Sequence, residues 1–191
     1  MRARILEVAT RLFDRHGVRA VGTSCIIRES GIGKNLLYQH FPAKADLVAA
    51  YLDESYRDKV RTTLRPAEPG DPRAEILAFI RSFVAEPRTA WLRGCPARNY
   101  LVEFPDDGSD VLGPVRAAAD RLREGRAVLD ELIARLDVER PGELAEQLWL
   151  MIDGLCLQAA YRSRFDGAAA AGVRAAIRTA ETLIDVACAP S

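Results

Sequence analysis

The chain has 191 residues and a formal net charge of zero, with 49% hydrophobic and 28% charged residues. That balance supports a substantial core, in one domain or in a small head on a larger body, and excludes a disordered protein. No apolar run approaches the roughly 18–20 residues that cross a bilayer, and the charged N-terminal stretch MRARILEVATRLF lacks the uninterrupted apolar core of a signal peptide. The expected location is cytoplasmic, with no membrane partner.

Cys25, Cys95, Cys156 and Cys188 are far apart and form no CxxC pair, and neither of the two histidines stands at metal-ligand spacing from a cysteine. Neither a metal site nor a cofactor is expected. Reduced thiols packed as small hydrophobes are the default; Cys95, beside Arg93, would act as an oxidation sensor only if its thiolate were stabilised. The zero net charge conceals an asymmetry. Residues 1–46 carry eight Arg or Lys against four acids, and the remainder nineteen against twenty-three. A basic head on an acidic body suits a protein that meets a polyanion with one end.

Helical periodicity runs through almost every segment, and strand alternation is hard to find. The first helix covers Arg2 to His16, with Ile5, Leu6, Ala9, Leu12 and Phe13 on one face and Gly17 as its stop. Two short helices follow in TSCIIRESGIGKNLLYQHFPAK (Thr23 to Lys44), joined by a tight Gly31-Ile32-Gly33 turn. Ile26, Ile27, Ile32, Leu37 and Phe41 hold the pair together, and Pro42 ends the second helix. A longer helix runs from about Ala43 to Leu64. The stretch RPAEPGDP (Arg65 to Pro72) is the clearest break in the chain.

Beyond the break, Arg73 to Glu86 reads as helix, followed by a loop around Pro87–Pro96 and a short helix to Phe104. PDDGSDVLGP forms a second loop. A long helix spans about Val115 to Leu136, another runs from Pro141 to about Phe165, and the last from about Ala168 to Ala187. The expected fold is all-α, with about nine helices: a three-helix helix-turn-helix head over 1–46 and a helical-bundle body over 47–191.

Two helices around a tight turn, the second carrying Lys34, Asn35, Tyr38, Gln39 and His40, is the arrangement that inserts a helix into the major groove of DNA. The bland alternative is a solvated polar face. Residues 4–52, RILEVATRLFDRHGVRAVGTSCIIRESGIGKNLLYQHFPAKADLVAAYL, resemble the DNA-binding head of TetR-family transcription regulators, through Phe13, Gly17, the Gly31 turn, Leu37-Tyr38, His40-Phe41 and Lys44. A second similarity, to one subgroup of the family, lies in Arg93-Gly94-Cys95-Pro96 and Glu103-Phe104-Pro105-Asp106. The resemblance implies an all-helical homodimer, usually a repressor, released from a palindromic operator by a small molecule. The implied partners are double-stranded DNA, a partly apolar effector and a second copy of the chain.

By that resemblance the DNA contacts fall on Thr23, Ser24, Lys34, Asn35, Leu36, Tyr38, Gln39, His40 and Lys44. Thr23 or Ser24 suits the cap of the second helix and a phosphate contact. Lys34 and Asn35 suit base edges, guanine and adenine respectively. Tyr38, His40 and Lys44 suit phosphate, and Gln39 either role. Tyr38 could also pack its ring on the first helix, and His40 could cap its own. Leu36 stands where a small or hydroxylated residue is common, and would touch a thymine methyl. Ile27 replaces the more usual alanine, and Arg2 and Arg4 are the candidates for a basic arm.

In the body, Phe79, Phe83, Trp91, Tyr100, Phe104 and Trp149, with Asn99 and Asp153, are candidates to line an effector pocket; Glu103 and Gln147 are further polar candidates. Core packing is the alternative for each aromatic ring. The last two helices present Leu144, Leu148, Met151, Ile152, Leu155, Cys156 and Ala159, and Val173, Ala176, Ile177, Ala180, Leu183, Ile184 and Ala187. These faces would join two chains in a four-helix interface, or pair with each other inside one chain. An enzyme is not expected: no paired carboxylates on one helix face, no ExxH pattern, no phosphate-cradling glycine loop and no Ser/His/Asp set is present. A helical protein-interaction module is the other alternative.

Overall fold

Gly17 closes the first helix with φ 81° and ψ 159°, a backbone that glycine tolerates, and its amide donates to the Phe13 carbonyl at 2.8 Å. In the computed structural model this helix, α1, spans Arg2–His16. The structure describes residues 1–63, 70–83, 94–104, 112–162 and 168–189; for 57–63, 112, 159–162 and 168–170 it describes helical backbone alone.

Two short helices follow, α2 (Thr23–Ser30) and α3 (Lys34–His40). Gly31 between them is left-handed, with φ 68°, and its amide closes α2 on the Ile27 carbonyl. The buried Ser30 hydroxyl donates to the Ile26 carbonyl at 2.6 Å, so a polar side chain sits in the core without an unpaired group. Phe41 is extended (φ −139°, ψ 93°), the geometry that the following Pro42 imposes, and α3 stops there. Helix α4 (Lys44–Thr63) opens with Asp46 accepting from the Ala43 amide at 2.8 Å, half of a capping box.

Helix α5 (Pro72–Ser82) starts on a built cap: Asp71 accepts from the amides of Arg73 and Ala74, and Pro72 fills the first position, where no amide is required. Then come α6 (Pro96–Glu103), α7 (Leu112–Ile133), α8 (Pro141–Arg162) and α9 (Ala168–Ala187). Among the described residues these nine helices are the only regular elements, and none is long and apolar enough to cross a membrane. Helix α7 is shifted toward the N-terminus of the predicted span. The Leu136 amide donates to Ile133, and this tightening ends the helix before Leu136. Residues 64–69, 84–93, 105–111, 163–167 and 190–191, and with them most of the predicted loops and the end of the helix expected to reach Glu86, lie outside the described residues.

The chain divides into two compact units, Met1–Asp58 with Trp91–Leu122, and Lys59–Ala90 with Arg123–Ser191. The first is built on Ile5, Ala9, Phe13, Ile26, Leu37, Leu47 and Tyr51, joined by Ala97 and Tyr100 of α6 and Ala118 of α7. Each large aliphatic group buried there contributes about 1.5–3 kcal/mol relative to exposure. In the second unit α9 packs on α8 and α5, around Ile76, Ile80, Leu148, Ile152, Ala180 and Ile184.

Candidate nucleic-acid interface

The polar row expected on α3 stands outside the core. Lys34, Asn35, Tyr38 and Gln39 are exposed, and so is Ser24 of α2. Beneath them Leu37 is 1% exposed, with Ile26 and Phe41 beside it, so the helix is anchored by one side and open on the other. Thr23 and His40 are half-buried. Leu36 is also half-buried and packs partly against the core, which restricts its methyls to the edge of the exposed face.

Tyr38 is 38% exposed, its hydroxyl sits 3.4 Å from Thr23 Oγ1, and the Lys34 ammonium lies 6.0 Å from the ring centroid. Tyr38 therefore ties the start of α2 to the middle of α3. Neither Thr23 nor Ser24 caps α2: the N-cap is Gly22, with no side-chain acceptor. The start of α2, at Thr23 and Ser24, therefore has no side-chain cap, the arrangement that receives phosphate. His40 is the last residue of α3 and Phe41 is its C-cap. Arg2 and Arg4 fold back on their own head: the Arg2 guanidinium lies 4.9 Å from the Phe41 ring centroid, and Arg4 Nη2 is 3.7 Å from where a side chain on Gly31 would begin.

Lys44 occupies a different setting from the α3 residues. Its ammonium is half-buried and donates to the Val18 carbonyl at 2.7 Å. Burial lowers its pKa, and the nearby Glu103 carboxylate opposes that shift. An ammonium has three donors, so two remain. On α1, Asp14 accepts from the Tyr51 hydroxyl at 2.6 Å, and desolvation raises the pKa of both groups.

Sequence reasoning missed Arg19 and its link to Glu103. Arg19 donates its amide to the Glu103 carboxylate at 3.0 Å and its guanidinium to the Glu103 carbonyl at 2.6 Å. Glu103 thus faces the loop between α1 and α2. No spacing rule links positions 84 residues apart, so no local signal could have found the pair.

The effector candidates fall in separate groups. In the first unit Tyr100 is buried and stacks on half-buried Phe104 at 4.6 Å, and Asn99 is half-buried. Burial and the Glu103 charge push the Tyr100 hydroxyl up to about 12. In the second unit Phe79, Phe83 and Trp149 form edge-to-face pairs with centroids 5.0 and 6.4 Å apart, Phe79 being fully in the core. Gly125 admits the Trp149 ring: a Cβ there would stand 3.4 Å from it. Asp153 is half-buried one turn beyond Trp149. Trp91 lies outside the described residues. Among those residues no group of three His, Cys, Asp or Glu is placed to hold a metal. Cys95 is the half-buried N-cap of α6.

Residues 5–51 match the model of the bacterial regulatory proteins of the tetR family. The HTH-type transcriptional regulator TtgR of Pseudomonas putida is 27% identical over 172 residues, 81% of this chain and 77% of that protein. An HTH-type transcriptional regulator of Staphylococcus aureus, SAUSA300_2515, is 48% identical over 46 residues, 24% of this chain and 25% of that protein. The crystal structure of SCO4454, a TetR-family transcriptional regulator from Streptomyces coelicolor, superposes with a TM-score of 0.84 at 28% identity, covering 98% of this chain and 96% of that one. An anchored α3 with an open polar face, the head match and the likeness over nearly the whole chain lead to one assignment: the protein belongs to the TetR family of bacterial transcriptional regulators, which act by binding DNA and not by catalysis.

Proposed function

We propose that the chain is a homodimeric repressor that reads a palindromic operator with α3 and leaves it when a small molecule occupies the body. The observation that carries this reading is the row Lys34, Asn35, Tyr38 and Gln39, exposed on a helix whose opposite side is locked in the core. In this reading residues 1–46 are the DNA head and 47–191 the effector and dimerisation body. Lys34 and Asn35 contact bases, while Thr23, Ser24, Tyr38, His40 and Lys44 contact phosphate. Phe83, Trp149 and Asp153 supply an aromatic and acidic surface to a partly apolar effector.

Dimerisation through the last two helices draws support from what α8 and α9 leave uncovered. The inward faces, with Leu148, Ile152, Ala180 and Ile184, are buried within the chain, as the intrachain alternative expects. Leu150 and Leu157, two turns apart on α8, are 61% and 67% exposed with Gly154 between them, and Val186 on α9 is 71% exposed. Thr179 and Thr182 donate their hydroxyls to the α9 backbone, so that stripe offers methyl groups instead of unpaired donors. Small and apolar exposed faces suit a self-complementary interface.

Selecting bound duplexes from a random pool and footprinting them tests the reading. A palindrome whose half-sites are about one helical turn apart is expected. Failure to retain any duplex at low ionic strength would refute it.

A further inference from the structure

We infer that Glu103 is a positioning residue for DNA recognition: by gripping Arg19 it holds the loop between α1 and α2, and so the register of α2 and α3. The inference rests on the DNA-binding reading above. The grip is reciprocal. The Glu103 carboxylate accepts from the Arg19 amide at 3.0 Å, and the Arg19 guanidinium donates to the Glu103 carbonyl at 2.6 Å. That carbonyl is among the last four of α6, which have no partner within the helix, so Arg19 satisfies a group that would otherwise need water.

The Arg19 guanidinium also lies 5.0 Å from the Phe104 ring centroid, and Phe104 stacks on the buried Tyr100. One residue earlier, the Val18 carbonyl takes the Lys44 ammonium at 2.7 Å, while the Val18 side chain is buried. Positions 18 and 19 are therefore held from both α6 and α4. The loop has only Gly17 to Gly22 before α2 begins, too short to absorb a displacement, and Thr23 at its end meets Tyr38 of α3. Both bonds involve backbone atoms, so they fix the path of the chain, whereas an exposed ion pair joins two mobile tips.

The test is the affinity of the full chain and of the E103A and E103Q variants for a selected duplex and for a random duplex, by fluorescence anisotropy at one salt concentration. Each variant removes a negative charge, and charge alone would tighten binding to both duplexes. A positioning residue has the opposite sign on the selected site. E103A should weaken binding there by about three- to tenfold without weakening binding to the random duplex. E103Q keeps an acceptor oxygen for the Arg19 amide and should fall between E103A and the native chain. Unchanged or tighter binding to the selected duplex, or equal losses on both duplexes, overturns the inference. Should circular dichroism show E103A unfolded, E103Q decides by the same signs. If the native chain itself binds no duplex, the DNA-binding reading fails and not this one alone.

Discussion

At Gly31 the left-handed backbone carries the turn that separates α2 from α3. A Cβ there would meet Arg4 Nη2 at 3.7 Å, an ordinary contact, so the cost of a side chain is conformational and not steric. Gly31→Ala should destabilise the protein by about 1–2 kcal/mol, read from urea midpoints. Asp14 offers a pH signature. Burial raises its pKa from the usual carboxylate value, and the Tyr51 hydrogen bond only partly offsets this. A carboxyl raised on folding costs stability while ionised and restores it as pH falls through the carboxylate range. Asp14→Asn keeps an acceptor for Tyr51, so it should be the more stable form at pH 7 and lose that advantage near pH 4. A difference that stays constant across that range would argue against the buried charge. Asn35 is exposed at the second position of α3. Asn35→Ala should relax preference at one base pair by ~1–3 kcal/mol, and equal losses on selected and random DNA would deny it a base-reading role.

At the scale of elements, two devices hold the second unit together. The Asp71 cap and Pro72 start α5 cleanly, and Arg73 then pairs with Asp185 of α9 through three hydrogen bonds between 2.9 and 3.2 Å. Arg135, in the turn after α7, reaches Glu75 at 2.6 Å and the Gly70 carbonyl at 2.6 Å. The Arg135 bond lowers the pKa of Glu75. The apolar seam matters more than these exposed pairs. Leu148 is fully buried on α8. Leu148→Ala should therefore cost about 2–5 kcal/mol, whereas Asp71→Ala should cost about 1 kcal/mol. Denaturation at one fixed protein concentration ranks the two, and the reverse order would contradict this account of the seam.

For the molecule as a whole, DNA recognition by two heads depends on the assembly. Among the described residues, Leu150 and Leu157 are the large apolar groups that α8 leaves exposed. The double variant Leu150→Glu with Leu157→Glu should elute as a monomer in light-scattering chromatography, and should lose palindrome binding while its helical circular dichroism persists. A dimer that survives both charges would move the interface elsewhere.

Much of this architecture was legible in the residues because it is local. Helix periods, the Gly31 turn, the stop at Pro42 and the polar row on α3 each depend on residues within a turn or two of one another. The limits of α1 and α9, and the exposure of Lys34, Asn35, Tyr38 and Gln39, agree with that local reading. Tertiary structure alone decided which face of α8 stays uncovered, that Lys44 spends a donor on Val18, and that Glu103 grips Arg19. Those outcomes depend on which distant helices come to lie side by side. Amphipathic periodicity says that a face is buried, and leaves open against what.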